Sequence, residues 1–188
     1  MSDVRDLFRR AHGRFGELVH AVGDDQWRGS TPCSEWDVRA LVNHLVYEAR
    51  WVVPLLEGQT IEQVGDRFDG DLLGDDPKAS YDAAVGAADA AMQPDGALDR
   101  TVHLSYGETP AVDYLSQVTS DFVIHGWDLA RGIGADDQLD TELVQWVYEQ
   151  AEPQADMLAQ SGLFDPPIEV PADADLQTKT LALFGRRA

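Results

Sequence analysis

The sequence predicts a mainly helical bundle, on three observations. Apolar residues recur at three- and four-residue intervals over most of the 188 residues. Stretches rich in Gly, Pro and Asp separate those runs. Only one short segment alternates with period two. A chain of this length buries a core without a disulfide or a structural metal to hold it. One domain is expected over 1–188, with a bundle core of about 3–133 and an additional helix and tail of about 137–188.

Taken in order, Val4, Leu7, Phe8, Ala11, Phe15, Leu18, Val19 and Val22 make the stripe of a first amphipathic helix, about Asp3 to Val22. Gly23-Asp24-Asp25 ends it. His12 and His20 have no partner there at metal-ligand spacing and read as surface or helix-end histidines. A loop from Gln26 to Trp36 follows, and Ser34 and Asp37 stand at capping spacing, with Asp37 itself able to cap. The second helix is expected from about Asp37 to Val53, with Val38, Leu41, Val42, Leu45, Val46 and Trp51 apolar and Pro54 at its end.

Residues 57–77 lose periodicity and carry Gly and Asp, so a long connection is expected, with one short turn near Ile61–Val64. Such connections often cover a pocket. Asp69-Gly70-Asp71 lacks the spacing and closing Glu of a calcium loop. An alanine-rich third helix fits Lys78 to Met92. Arg100 to Gly107 alternates, placing Val102, Leu104 and Tyr106 on one side and His103 on the solvent side. Thr109-Pro110 reads as the cap and first turn of a fourth helix. That helix is expected to reach about Arg131 and stop at Gly132 or Gly134. A fifth helix is expected from Asp140 to Ala159, kinked at Pro153. An extended Phe164–Pro171 and a short closing segment, Leu181 to Gly185, complete the chain.

The charge bounds the partners. With 34 acidic and 14 basic residues the net charge is −20, which repels nucleic acid and anionic membrane surfaces alike. Small molecules or proteins are the expected partners, and the apolar faces can be satisfied in a monomer or a homodimer. No apolar run approaches the roughly 18 residues of a spanning helix, and Met1 to Asp6 carries mixed charge rather than a signal-type apolar region. With a single cysteine, Cys33, no internal disulfide forms, and a cytoplasmic location is expected.

The chemistry centres on Asp121 and His125, four apart and therefore on one face of the fourth helix. His44, in the apolar run Leu41-Val42-Asn43-His44-Leu45-Val46, is the candidate third ligand. Two imidazoles and a carboxylate leave positions open for substrate, as catalytic metal sites do. Zinc is the working expectation, while nickel, iron(II), manganese and cobalt take the same donors. Glu48, one turn after His44, is the candidate catalytic base, and Asp128 the candidate outer partner of His125. Arg50 and Arg131 are the cationic groups placed to hold an anionic ligand. Cys33 reads as a small packed residue. Gly-rich phosphate loops, Gly-x-Ser-x-Gly and Cys-x-x-Cys are missing.

Two segments carry a family resemblance. Thr31-Pro32-Cys33-Ser34-Glu35-Trp36-Asp37-Val38 with Leu41-Val42-Asn43-His44-Leu45, and Asp121 to Gly134, resemble the paired signatures of the actinobacterial metal-binding proteins related to the mycothiol-dependent maleylpyruvate isomerase N-terminal domain. Leu181-Ala182-Leu183-Phe184-Gly185-Arg186 matches the usual ending of this group. The resemblance implies a DinB-like four-helix bundle, up-down-down-up, with a metal on the positions of His44, Asp121 and His125. It also implies a thiol cofactor, mycothiol or a thiol conjugate, and transferase or isomerase chemistry. Asp121 stands where the better-known isomerase has Glu, a shorter reach, and the chain is expected to be too short for that enzyme's full C-terminal domain. A metal-dependent hydrolase and a non-catalytic metal-binding or interaction module are the alternative functions.

Overall fold

A computed structural model describes residues 3–161 and 164–188. Met1 and Ser2, where the N-terminal reading began, lie outside them. Helix α1 (Val4–Ala21) starts where the Asp3 carboxylate accepts from the Arg5 amide, and it buries the predicted stripe. Asp37 caps α2 (Val38–Leu56) by accepting from the Ala40 amide. A reciprocal capping box between Thr60 and Gln63 holds the short α3 (Ile61–Val64). Asp76 caps α4 (Pro77–Met92), with Pro77 in its first turn. Strands β1 (Thr101–Leu104) and β2 (Gly107–Pro110) form an antiparallel hairpin that leads into α5 (Ala111–Ile133). Then come α6 (Thr141–Ala151), α7 (Ala155–Ser161) and α8 (Leu176–Leu183).

Helices α1, α5, α2 and α4 close into a four-helix ring: α1 packs on α5 and α4, and α2 packs on the same two. This is the expected four-helix bundle with an added C-terminal helical part, since α6 lies on α5 and α8 on α6. Between α1, α4 and α5 sits an aromatic cluster. Phe122 meets Phe8 and Phe15 edge-on at 5.6 and 5.7 Å between centroids, and Phe15 stacks on Tyr81 at 5.6 Å. Its neighbour in sequence, Asp121, faces the other way, towards α2.

Several boundaries differ from the sequence reading. The second helix continues through Pro54 to Leu56, because burial of Val52, Pro54, Leu55 and Leu56 outweighs the one backbone bond proline removes. Thr109 belongs to β2 rather than capping α5, and Pro110 occupies the cap position with no side-chain bond. The alternating segment is therefore the first half of a hairpin. The fifth helix is broken, not merely kinked: a 3-10 turn over Glu152–Gln154, containing Pro153, separates α6 from α7. The closing segment is the end of a helix, α8, capped by Asp175 on the Thr178 amide.

Of the two histidines of α1, one differs. His20 is exposed as expected, but it meets Asp82 at 3.0 Å. His12 is half-buried against Phe8, at 4.8 Å between rings, and its Nε2 is buried with no hydrogen-bond partner. Burial holds this imidazole below its ordinary value. The unfolded chain therefore binds a proton at a pH where the fold does not, and stability drops as pH falls through about 6.5. His12→Phe is expected to flatten the loss of urea stability between about pH 7 and pH 5 that this histidine causes. An unchanged pH slope would acquit it.

Candidate metal centre

The loop before α2 is built to present Trp36. The Thr31 hydroxyl donates to the carbonyls of Cys33 and Trp36, at 3.1 and 2.8 Å. Amides of Val38 and Arg39, orphaned at the start of α2, donate to the carbonyls of Gly29 and Trp27. Gly132 of α5 admits this loop closely, since a Cβ there would lie 3.2 Å from Thr31 Cγ2 and 3.3 Å from the Ser30 carbonyl oxygen. The Trp36 ring then lies against both imidazoles, 4.5 Å from His44 and 5.4 Å from His125 between centroids.

His44 comes from the middle of α2, and Asp121 and His125 from one face of α5. The His44 Nε2 is 2.7 Å from Asp121 Oδ2, and the His125 Nε2 is 3.4 Å from Asp121 Oδ1. One donor atom from each residue lies within 4.8 Å of the others. At metal bonds of about 2.0–2.2 Å, neighbouring donors of a tetrahedral site stand roughly 3.4 Å apart, so only small side-chain adjustments bring these three onto one ion. The set fits a divalent transition metal in chemistry as well, with imidazole nitrogen and carboxylate oxygen converging.

Behind His125 stands a second layer. Its Nδ1 is 2.9 Å from Asp128 Oδ2, and Asp128 is fully buried. A carboxylate accepts, so Nδ1 carries the hydrogen and Nε2 is aimed at the donor cluster. Burial disfavours charge on Asp121, yet the His125 charge and hydrogen bonds from both imidazoles prevail and hold its carboxyl far below the ordinary range. Burial likewise opposes a cation on His125, but Asp121 and Asp128 together push it up to about 9. Contacts of the two imidazoles with Asp121 and Asp128 tie the donors together.

Glu48 is half-buried one turn along α2. Burial first, and the Asp121 charge second, push its carboxyl up to about 7, against the pull of His44 and His125. A cleft of about 330 Å³ opens beside His44, walled by Trp36, Asn43, Tyr47, Phe68 and Asp69. Residues of the long connection form one wall of it. The Asn43 amide donates to the Gly70 carbonyl and its oxygen accepts from the Leu72 amide, clamping that segment to α2. Arg50 donates to the Leu72 carbonyl at 3.3 Å, and Arg131 pairs with Asp137 at 3.0 Å while lying over the Trp127 ring. Neither guanidinium lines the cleft. Burial pushes the Cys33 thiol up, the opposite of what a nucleophile needs.

Asp121 and His125, paired by spacing, and the candidate third donor His44 are thus brought together, with Asp128 behind them. Sequence reasoning missed Trp36 as their cover, Asn43 as the clamp, and the buried Arg186, whose Nη2 lies 3.0 Å from Asp128 Oδ2. Trp36 and Asn43 lie within the first signature, adjacent to the cap and to His44. Arg186 lies in the closing segment that carries the resemblance, but nothing local points to its partner.

Fold and site together define a helical-bundle protein with a three-donor cluster between two of its helices. Residues 8–130 match the family described as mycothiol maleylpyruvate isomerase N-terminal domain, and the chain belongs to that family. It is 32% identical over 139 residues to the uncharacterized protein Rv0738 of Mycobacterium tuberculosis (strain ATCC 25618 / H37Rv), covering 72% of this chain and 70% of that one. The uncharacterized protein MT0763 of strain CDC 1551 / Oshkosh matches with the same identity and coverage. The fold is similar to the crystal structure of the mycothiol-dependent maleylpyruvate isomerase, with TM-score 0.64 and 17% identity over 84% of this chain and 70% of that chain. Among the described residues, no helix is long and apolar enough to cross a membrane.

Proposed function

We propose that the chain holds one divalent metal ion, zinc in the first instance, through His44, Asp121 and His125, and works with a small thiol of the mycothiol type as a transferase or isomerase. The observation that carries this reading is the convergence of three nitrogen and oxygen donors, one of which, His44, lines an open cleft. A divalent cation held there supplies the charge that makes a bound thiol acidic. The protein's own groups do the rest. Asp128 fixes His125, and Trp36 shields both imidazoles from water on one side. Glu48, raised to about 7, is a base suited to taking a proton near neutral pH. Arg50, seven residues after Asn43 on the same face of α2, is a cation that could meet an anionic part of the ligand by releasing the Leu72 carbonyl. Arg131, the other candidate cation, would have to leave Asp137 to take part. The reading takes residues 1–188 as one unit in the cytoplasm, monomer or homodimer, without a nucleic-acid or membrane partner.

The placement of Glu48 also favours a second reading, a metal-dependent hydrolase in which it deprotonates water. Calorimetry on zinc-loaded protein separates the two. Saturable binding of mycothiol that disappears in His44→Ala is expected. Thiol binding that survives metal removal contradicts the first reading, while thiol-independent hydrolysis abolished by Glu48→Gln establishes the second.

A further inference from the structure

The C-terminal segment reaches the back of the donor cluster through one side chain. Arg186 is 5% exposed, two residues before Ala188. Its Nη2 donates to Asp128 Oδ2 at 3.0 Å, its Nε lies 3.3 Å from both Asp128 oxygens, and its Nη1 donates to the Phe184 carbonyl at 2.7 Å. The Phe164 ring lies 5.9 Å from its guanidinium carbon. Asp128 Oδ2 is thereby shared between the guanidinium and the His125 Nδ1, which gives an unbroken line from Arg186 to a metal-ligand candidate.

The end of α8 delivers this arginine. Gly185 takes the left-handed conformation at φ +74°, its amide donates to the Ala182 carbonyl, and the Arg186 amide donates to the Leu181 carbonyl. These are the paired bonds of a Schellman turn, which reverses the chain and sends residue 186 inward. The turn admits only glycine, since a Cβ at 185 would lie 2.5 Å from Asp165 Cβ and 2.7 Å from its carbonyl oxygen.

We infer that Arg186 is a positioning residue of the metal centre, acting through Asp128 to fix the orientation of His125. This rests on the metal reading given above. A buried carboxylate with one partner can rotate, and its imidazole follows. Forked to a guanidinium, Asp128 is held in one plane, and His125 Nε2 keeps its aim. Arg186 lies beyond residues 8–130, so the C-terminal helical part contributes this contact to the back of the donor cluster.

The test is zinc affinity by chelator competition, together with the visible spectrum of the cobalt-loaded protein. Arg186→Gln is expected to weaken zinc binding about 10- to 100-fold, the usual effect of losing an outer partner. It should also shift the cobalt bands. Arg186→Lys keeps the charge without the fork and should fall between, and it serves if the Gln variant folds poorly. Adding Arg186→Gln to Asp128→Asn should cost nothing more if the arginine acts through that carboxylate. Unchanged affinity and spectrum in both variants, with only metal-free thermal stability reduced, would make Arg186 a structural staple and overturn the inference. Additive losses in the double variant would overturn it too. A wild-type protein that takes up no zinc defeats the metal reading itself, and this role with it.

Discussion

Phe122→Ala is expected to lower stability by about 3–5 kcal/mol, the range for emptying a buried aromatic site. Phe122 is 1% exposed and meets Phe8 and Phe15 edge-on, with Tyr81 at 6.5 Å. It joins α1 and α4 to α5 at the turn that carries Asp121. Removing it leaves a cavity among three rings fixed by their own helices, so collapse is restricted and the upper half of the range is expected. The loss also frees α5 to shift against α1, which moves Asp121 relative to His44. Denaturant unfolding measures the first effect, and weaker zinc binding in the still-folded variant measures the second. A loss below about 1 kcal/mol would mean that the aromatic cluster does not set the position of α5.

His125→Ala is the second large effect. In wild type, zinc at about a hundred times its dissociation constant should raise stability by about 2.7 kcal/mol, because it binds the folded state alone. With His125 gone, the remaining imidazole and carboxylate make a two-donor site, and that zinc-dependent increment is expected to vanish. The metal-free variant should also be weaker than metal-free wild type. Asp121 and Asp128 would lose the imidazole between them but keep His44 and Arg186, so the loss should stay below the roughly 3–5 kcal/mol of a buried pair left with no partner. Thermal melts with and without zinc separate the two contributions. An undiminished zinc increment in His125→Ala would remove this residue from the centre.

What the sequence disclosed follows from the range of its signals. Asp121 and His125 were legible because one helical period places them together, and the apolar stripes around them fixed that period. His44 was legible as a polar interruption in another buried run. The four ring helices were legible for the same reason, and the Asp37 cap marked the start of α2. Boundaries failed where tertiary burial overruled a local rule, as at Pro54, or where a strand had no alternation to show, as in β2. The closing segment that ends in Arg186 was legible as part of the family resemblance, but the role of Arg186 was not, because its partner is 58 residues away. The Trp36 cover depends on the hydroxyl of Thr31 and the closeness of Gly132, neither of which has a periodic signature.

The central claim is that His44, Asp121 and His125 share one ion. Elemental analysis of protein purified without a histidine tag, wild type beside Asp121→Ala, tests it most directly. About one transition-metal ion per wild-type chain and none in the folded variant is the expected result for a three-donor site. A folded wild type that carries no metal even after incubation with zinc, or an Asp121→Ala protein that retains a full equivalent, would contradict it.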